Sequence, residues 1–199
     1  MQDIDQNLLK IFKEINLDNK LLDPNGAIGK QFYQIGINTL YAAINHVYGL
    51  KYQPPSDPFN WNLVISEQCG TCSTRHALLV LLAKENNVSF ALGHAIYHLT
   101  PERFPMLQPI LERSGLPFIP ESHNFIVYNH YFLDITFPGH AQILPQKDVS
   151  LMKTIDCAEL LYVKKTWYPV FLKQWLKQYS NMTLEQYAEL HREIVQLLG

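Results

Sequence analysis

Apolar residues recur at helical spacing near the start of the chain: Ile4, Leu8, Leu9, Ile11, Phe12 and Ile15. This pattern predicts an amphipathic helix over residues 4–16. Asp23-Pro24-Asn25-Gly26 then reads as a turn. A second helix is expected from Ala27 to about Val47, with Phe32, Ile35, Leu40, Ala43 and Ile44 as its apolar positions, and Gly36 weakens it locally. Tyr52-Gln-Pro-Pro-Ser-Asp-Pro58 forbids regular helix and reads as a loop. The strongest helical segment is residues 73–85. Ala77 through Ala83 are all apolar, which predicts a helix buried on most sides. Asn86-Asn87 is a suitable stop, because Asn tolerates the left-handed conformation.

The second half changes period. Val88 to Leu99 reads as a strand, and Pro101 to Pro120, with five prolines, as an irregular excursion long enough to shape a cleft. His123–Tyr128 and Tyr131–Phe137 read as two strands around Asn129-His130. Phe125, Val127 and Phe132 line one face, and Ile126, Tyr128, Leu133 and Ile135 the other, as in a sheet covered on both sides. A further strand is predicted at Glu159–Val163, then helices near 167–179 and 184–198. Thr183-Leu-Glu-Gln186 fits a capping box for the last. The expected fold class is α+β, with a buried helix packed on an antiparallel sheet and helices flanking it at both ends. A single domain is expected, with a core over about 27–165 and helical additions at 1–26 and 166–199.

Composition narrows the function classes. Sixteen Lys and Arg against eighteen Asp and Glu give a net charge of −2, with no basic bias to support nucleic-acid binding. No run approaches the length of a membrane span, so no membrane partner is expected. The acidic, polar start Met1-Gln-Asp-Ile-Asp lacks the basic and apolar regions of a signal peptide. Three cysteines do not make a disulfide framework. The expected location is cytoplasmic, with signal-independent export left open. The eleven Tyr and ten Phe suggest an aromatic-rich interior or cleft, suited to a peptide or amide substrate.

The candidate chemistry begins at Cys69-Gly-Thr-Cys72-Ser-Thr-Arg-His. A cysteine where a loop enters an apolar helix meets the positive end of the helix dipole, which stabilises the thiolate. Arg75, close by on the same helix, adds a cation. A cysteine acyl-transfer site also needs a base and a group that orients it. His123 follows 51 residues after Cys72, and Asp134 another 11 residues on. With a two-residue turn at Tyr128-Asn129, paired numbers sum to 257 and His123 faces Asp134 directly. With Asn129-His130 they sum to 259, and the two are diagonal neighbours on one face. His76, four residues after Cys72, is a rival local base. The Cys72 amide offers one oxyanion donor, and Gln68 and Trp61 are candidates for a second. None of these steps calls for a metal or cofactor.

Gly70-Thr-Cys72-Ser-Thr-Arg-His-Ala-Leu-Leu resembles the nucleophile helix of the transglutaminase-like superfamily. His123-Asn-Phe-Ile-Val-Tyr and Asp134-Ile-Thr136 resemble the His strand and the Asp-x-Thr strand of the same family. Ala42 to Tyr52 resembles its upstream helix leading to a tyrosine. The resemblance covers roughly residues 35–140 and implies a papain-like core with a Cys72–His123–Asp134 triad. It implies acyl transfer or hydrolysis at a carboxamide or peptide bond, in peptidase, deamidase or transglutaminase form. Two other readings compete: a catalytically silent binding module of the same fold, and a thiol oxidoreductase using Cys69-x-x-Cys72.

Overall fold

The computed structural model describes residues 3–137, 139–179 and 181–198. The protein is α+β, with a five-stranded antiparallel sheet. Its helices begin with α1 (Gln6–Glu14), α2 (Gly29–Gln34) and α3 (Leu40–Gly49). A small parallel pair follows, β1 (Lys51–Tyr52) with β2 (Cys69–Gly70), separated in sequence by α4 (Leu63–Glu67). Next come α5 (Cys72–Glu85), β3 (Ala91–Leu99), α6 (Gln108–Ser114), β4 (Ile119–Tyr128) and β5 (Tyr131–Asp134). The chain continues through β6 (Gln142–Ile143) and β7 (Val149–Ile155) to a short α7 (Leu160–Tyr162). A π-helical turn (Val163–Trp167), α8 (Tyr168–Tyr179) and α9 (Leu184–Leu198) close it. The sheet order is β6-β5-β4-β3-β7.

The chain forms two compact units. The first comprises Met1–His94, Asn124–Pro145 and Lys153–Cys157; the second comprises Ala95–His123, Gln146–Met152 and Ala158–Gly199. Helix α5 is the centre of the first unit. Its residues from Cys72 to Val80, together with Leu82 and Ala83, are buried, as expected of a helix apolar on nearly all sides. Thr71 caps it in extended conformation, and its N–H donates to Thr74 Oγ1 at 3.0 Å. At the far end the Glu85 carboxylate accepts the N–H groups of Ile28 and Gly29, tying the start of α2 to the end of α5. The second unit is organised around α8 and α9. Tyr168 and Tyr187 both donate their hydroxyls to Pro120 O, at 2.7 and 3.0 Å.

Three expected elements differ. The helix predicted over 27–47 is two helices, because the chain passes through Gly36 at φ 79°, a conformation that ends a helix. The predicted strand at Glu159–Val163 is helical instead. Leu160 and Val163 are buried while Leu161 and Tyr162 are half exposed, which is an i, i+3 stripe. A four-residue apolar run carries too little periodicity to separate the two states. The strand of that region is β7, whose mostly exposed residues hide it from a hydrophobic pattern. The proline-rich excursion contains α6, with a proline in its first turn where the missing N–H costs nothing.

Candidate functional site

The loop ahead of α5 is sharply formed. Gln68 takes a left-handed conformation (φ 53°, ψ 34°) and its side-chain amide turns back onto Ile65 O. The chain then pairs β2 with β1, Lys51 opposite Cys69 and Tyr52 opposite Gly70. Cys72 follows as the first residue of α5. The first bond into the helix runs from Arg75 N–H to Thr71 O (3.0 Å), so the amides of residues 72–74 occupy the positive end of the dipole. Cys69 and Cys72 are both buried, and neither is in a disulfide. Trp61 sits in the turn before α4, its carbonyl accepting Val64 N–H.

Arg75 is wholly buried, and its guanidinium is shared among backbone carbonyls. Nε donates to Gly70 O at 2.9 Å. One terminal nitrogen donates to Thr136 O (2.9 Å) and more weakly to Tyr48 O (3.5 Å); the other donates to Leu50 O (2.6 Å). The Tyr52 ring lies beneath it, 5.8 Å from centroid to guanidinium carbon. Burial lowers the pKa of Arg75 to about 10, against the opposing pull of Tyr52, Cys72, Cys69 and Asp134, so the group is cationic at neutral pH. Its hydrogen bonds go to backbone oxygens.

Asp134 ends β5. Its Oδ1 accepts both the N–H (3.0 Å) and the hydroxyl (2.5 Å) of Thr136, and its Oδ2 accepts from the Gln142 side chain at 3.3 Å. This fixes the carboxylate plane by local bonds of the kind Asp and Thr make to nearby backbone. Two more contacts join α5 to the strands of the first unit. Ser73 Oγ donates to Asn124 Oδ1 (3.0 Å), while Asn124 Nδ2 donates to Gly93 O (3.1 Å). His76 bridges Cys72 O (2.8 Å) and Ile135 N–H (3.1 Å).

The β4–β5 hairpin pairs Ile126 with Leu133, Val127 with Phe132 and Tyr128 with Tyr131, a sum of 259. Asn129 and His130 form the two-residue turn, both at positive φ (47° and 68°), as a type I′ turn requires. Of the two registers weighed from sequence, this is the diagonal one. Within the first unit, Arg75 on the Cys72 helix bonds to Thr136 O, and Thr136 in turn bonds to Asp134. His123 belongs to the second unit. It is buried there, 5.4 Å from the Tyr97 ring between centroids.

The residues missed from sequence are the connectors: Ser73, Asn124 and the bridging role of His76. Thr136 was visible only as part of the Asp-x-Thr pattern. Comparison of the chain with protein-family models, with curated proteins and with solved structures returned no match. No helix among the described residues is long and apolar enough to cross a membrane.

Proposed function

We propose that this chain is a transglutaminase-like cysteine enzyme with a papain-like core, acting on a carboxamide or peptide bond through Cys72. His123 takes the thiol proton as the sulfur attacks the carbonyl carbon. The carbonyl oxygen becomes an oxyanion beside the amide donors of the α5 N-terminus. The C–N bond breaks, His123 returns its proton to the leaving amine, and a thioester remains on Cys72. Water or a second amine then attacks the thioester and restores the thiol. Asp134 holds the imidazole in its useful tautomer and stabilises its charged form. Arg75 lowers the cost of the thiolate. Gln68 and Trp61 stay as candidates for the second oxyanion donor.

One observation carries this reading: a buried Arg75 cation, on the first turn of a cysteine-led helix, bonded to the strand end that holds a fixed carboxylate. The test is alkylation of Cys72 by iodoacetamide across pH, read by peptide mapping in wild type, His123→Ala, Asp134→Asn and Cys69→Ser. The expected midpoint in wild type lies below the ordinary thiol value of about 8.5, and it rises in His123→Ala. An ordinary midpoint that ignores His123 favours the silent module. Loss of activity in Cys69→Ser as complete as in Cys72→Ser would support the thiol oxidoreductase.

A further inference from the structure

The second turn of α5 carries a histidine that the proposed chemistry does not use. His76 is fully buried, and both of its ring nitrogens are committed to backbone groups. Ile135 N–H can only donate, so Nε2, 3.1 Å away, accepts and carries no proton. Nδ1 then holds the proton and donates to Cys72 O at 2.8 Å. The nearest Asp134 oxygen lies 3.8 Å from Nε2, with no hydrogen between them. A histidine held this way is a poor base for the thiol, which removes the local rival to His123.

Its position gives it another use. β5 ends at Asp134, so Ile135 and Thr136 lie beyond the last strand residue. Buried backbone groups there still need partners. Two consecutive side chains of α5 supply them: His76 takes Ile135 N–H, and Arg75 takes Thr136 O. Thr136 in turn fixes Asp134 through its own N–H and hydroxyl. The tripeptide Asp134-Ile135-Thr136 is thus bonded to the helix that begins with Cys72.

We propose that His76 is a positioning residue, a neutral cross-brace that holds the Asp134 strand end at a set place relative to the first turn of the cysteine helix. The proposal rests on the reading of Cys72 and Asp134 as reactive groups. Its importance follows from geometry, since a misplacement of about 1 Å in a reacting constellation costs up to about a hundredfold in rate.

The experiment has two arms. The first is nitrogen NMR on the full chain labelled with [15N]histidine, the His76 signals being assigned by their absence in His76→Gln. At pH 7 the Nδ1 signal is expected at the protonated position and Nε2 at the acceptor position; the reverse overturns the brace. The second arm compares Cys72 alkylation in His76→Leu, His76→Gln and His123→Ala. Leu fills the space and bonds to neither backbone group, whereas Gln keeps an acceptor for Ile135 N–H. His76→Leu is expected to lose about tenfold or more at pH 7, with His76→Gln staying close to wild type. Wild-type reactivity in His76→Leu alongside a loss in His123→Ala overturns the positioning role alone. Wild-type reactivity in both overturns the functional reading and the positioning role with it, while the NMR arm still decides the brace. If His76→Leu does not fold, a loss in His76→Gln matching that in His123→Ala overturns the claim that the Ile135 acceptor is what matters.

Discussion

Thr136 donates twice to one oxygen of Asp134, through its backbone N–H at 3.0 Å and its hydroxyl at 2.5 Å. Both residues are buried, at 1% and 3% exposure, so the hydroxyl bond is made away from competing water. Thr136→Val keeps the shape and removes the donor. The expected loss is about 1–3 kcal/mol, the range for leaving a buried polar group without its partner, read by urea unfolding. Thr136→Ser keeps the hydroxyl and is expected to stay nearer wild type. Cys72 alkylation is expected to slow in the Val variant and not in the Ser variant.

Arg75→Lys is expected to be severe despite conserving charge. A lysine ammonium lacks the planar fork that reaches Gly70, Leu50 and Thr136 together. Each buried carbonyl left without a donor costs about 1–3 kcal/mol. Arg75→Met is expected to be at least as destabilising, and to raise the alkylation midpoint of Cys72 in whatever fraction folds. An unchanged melting temperature in Arg75→Lys would show that the carbonyls find other partners.

How far could this have been read from the residues? The cysteine helix, the hairpin and the last two helices rest on long or strongly punctuated patterns, and each appears within a few residues of its expected place. Asp134 and Thr136 could be linked because their bond is local. Arg75 could be seen as a cation near Cys72, but its partners lie 61, 27 and 25 residues away along the chain. Nothing in a periodic pattern reports a side chain bonded to a distant carbonyl. The same is true of Ser73 with Asn124. The strand placed at Glu159–Val163 failed for the opposite reason: the local signal was apolar, and too short to have a period.

A pH dependence is expected in the second unit. His191 on α9 pairs with Glu121 on β4. The Glu121 charge raises the pKa of His191, against burial, from its ordinary 6.5. Burial would raise Glu121, but the charge and hydrogen bond of His191 and the charge of Lys164 outweigh it and hold it below its ordinary 4.5. Lys164 also donates to Ser122 O, and the Tyr168 and Tyr187 hydroxyls lie on the same strand end. The histidine's contribution is complete below its ordinary value and is lost as pH rises through its raised one. The carboxylate's contribution is complete above its ordinary value and is lost as pH falls through its lowered one. Thermal stability is therefore expected to fall on both sides of a window near mildly acidic pH. His191→Gln is expected to flatten the alkaline side of the melting profile; an unaltered profile would count against the pair.

Gly93→Ala is expected to destabilise the first unit. A Cβ at residue 93 would lie 2.4 Å from the Phe125 ring, and Phe125 is itself fully buried against Phe132. Forcing a methyl into that contact costs about 1–3 kcal/mol, measured as a lower denaturation midpoint. Pairing it with Phe125→Leu is expected to recover part of the loss, because the smaller side chain vacates the contested space.

The guanidinium of Arg75 has one further consequence, and it concerns order in time. Three of its acceptors lie at or before residue 70, but the fourth, Thr136 O, is made 61 residues later than Arg75 itself. During synthesis the helix that begins with Cys72 can wind early, since its bonds are local, while the surroundings of its first turn wait for a long loop to close. The thiol and its carboxylate strand are thus brought under one roof only when most of the chain exists. A nascent chain of this protein would carry Cys72 through the synthesis of the next 64 residues before the last acceptor of Arg75 exists.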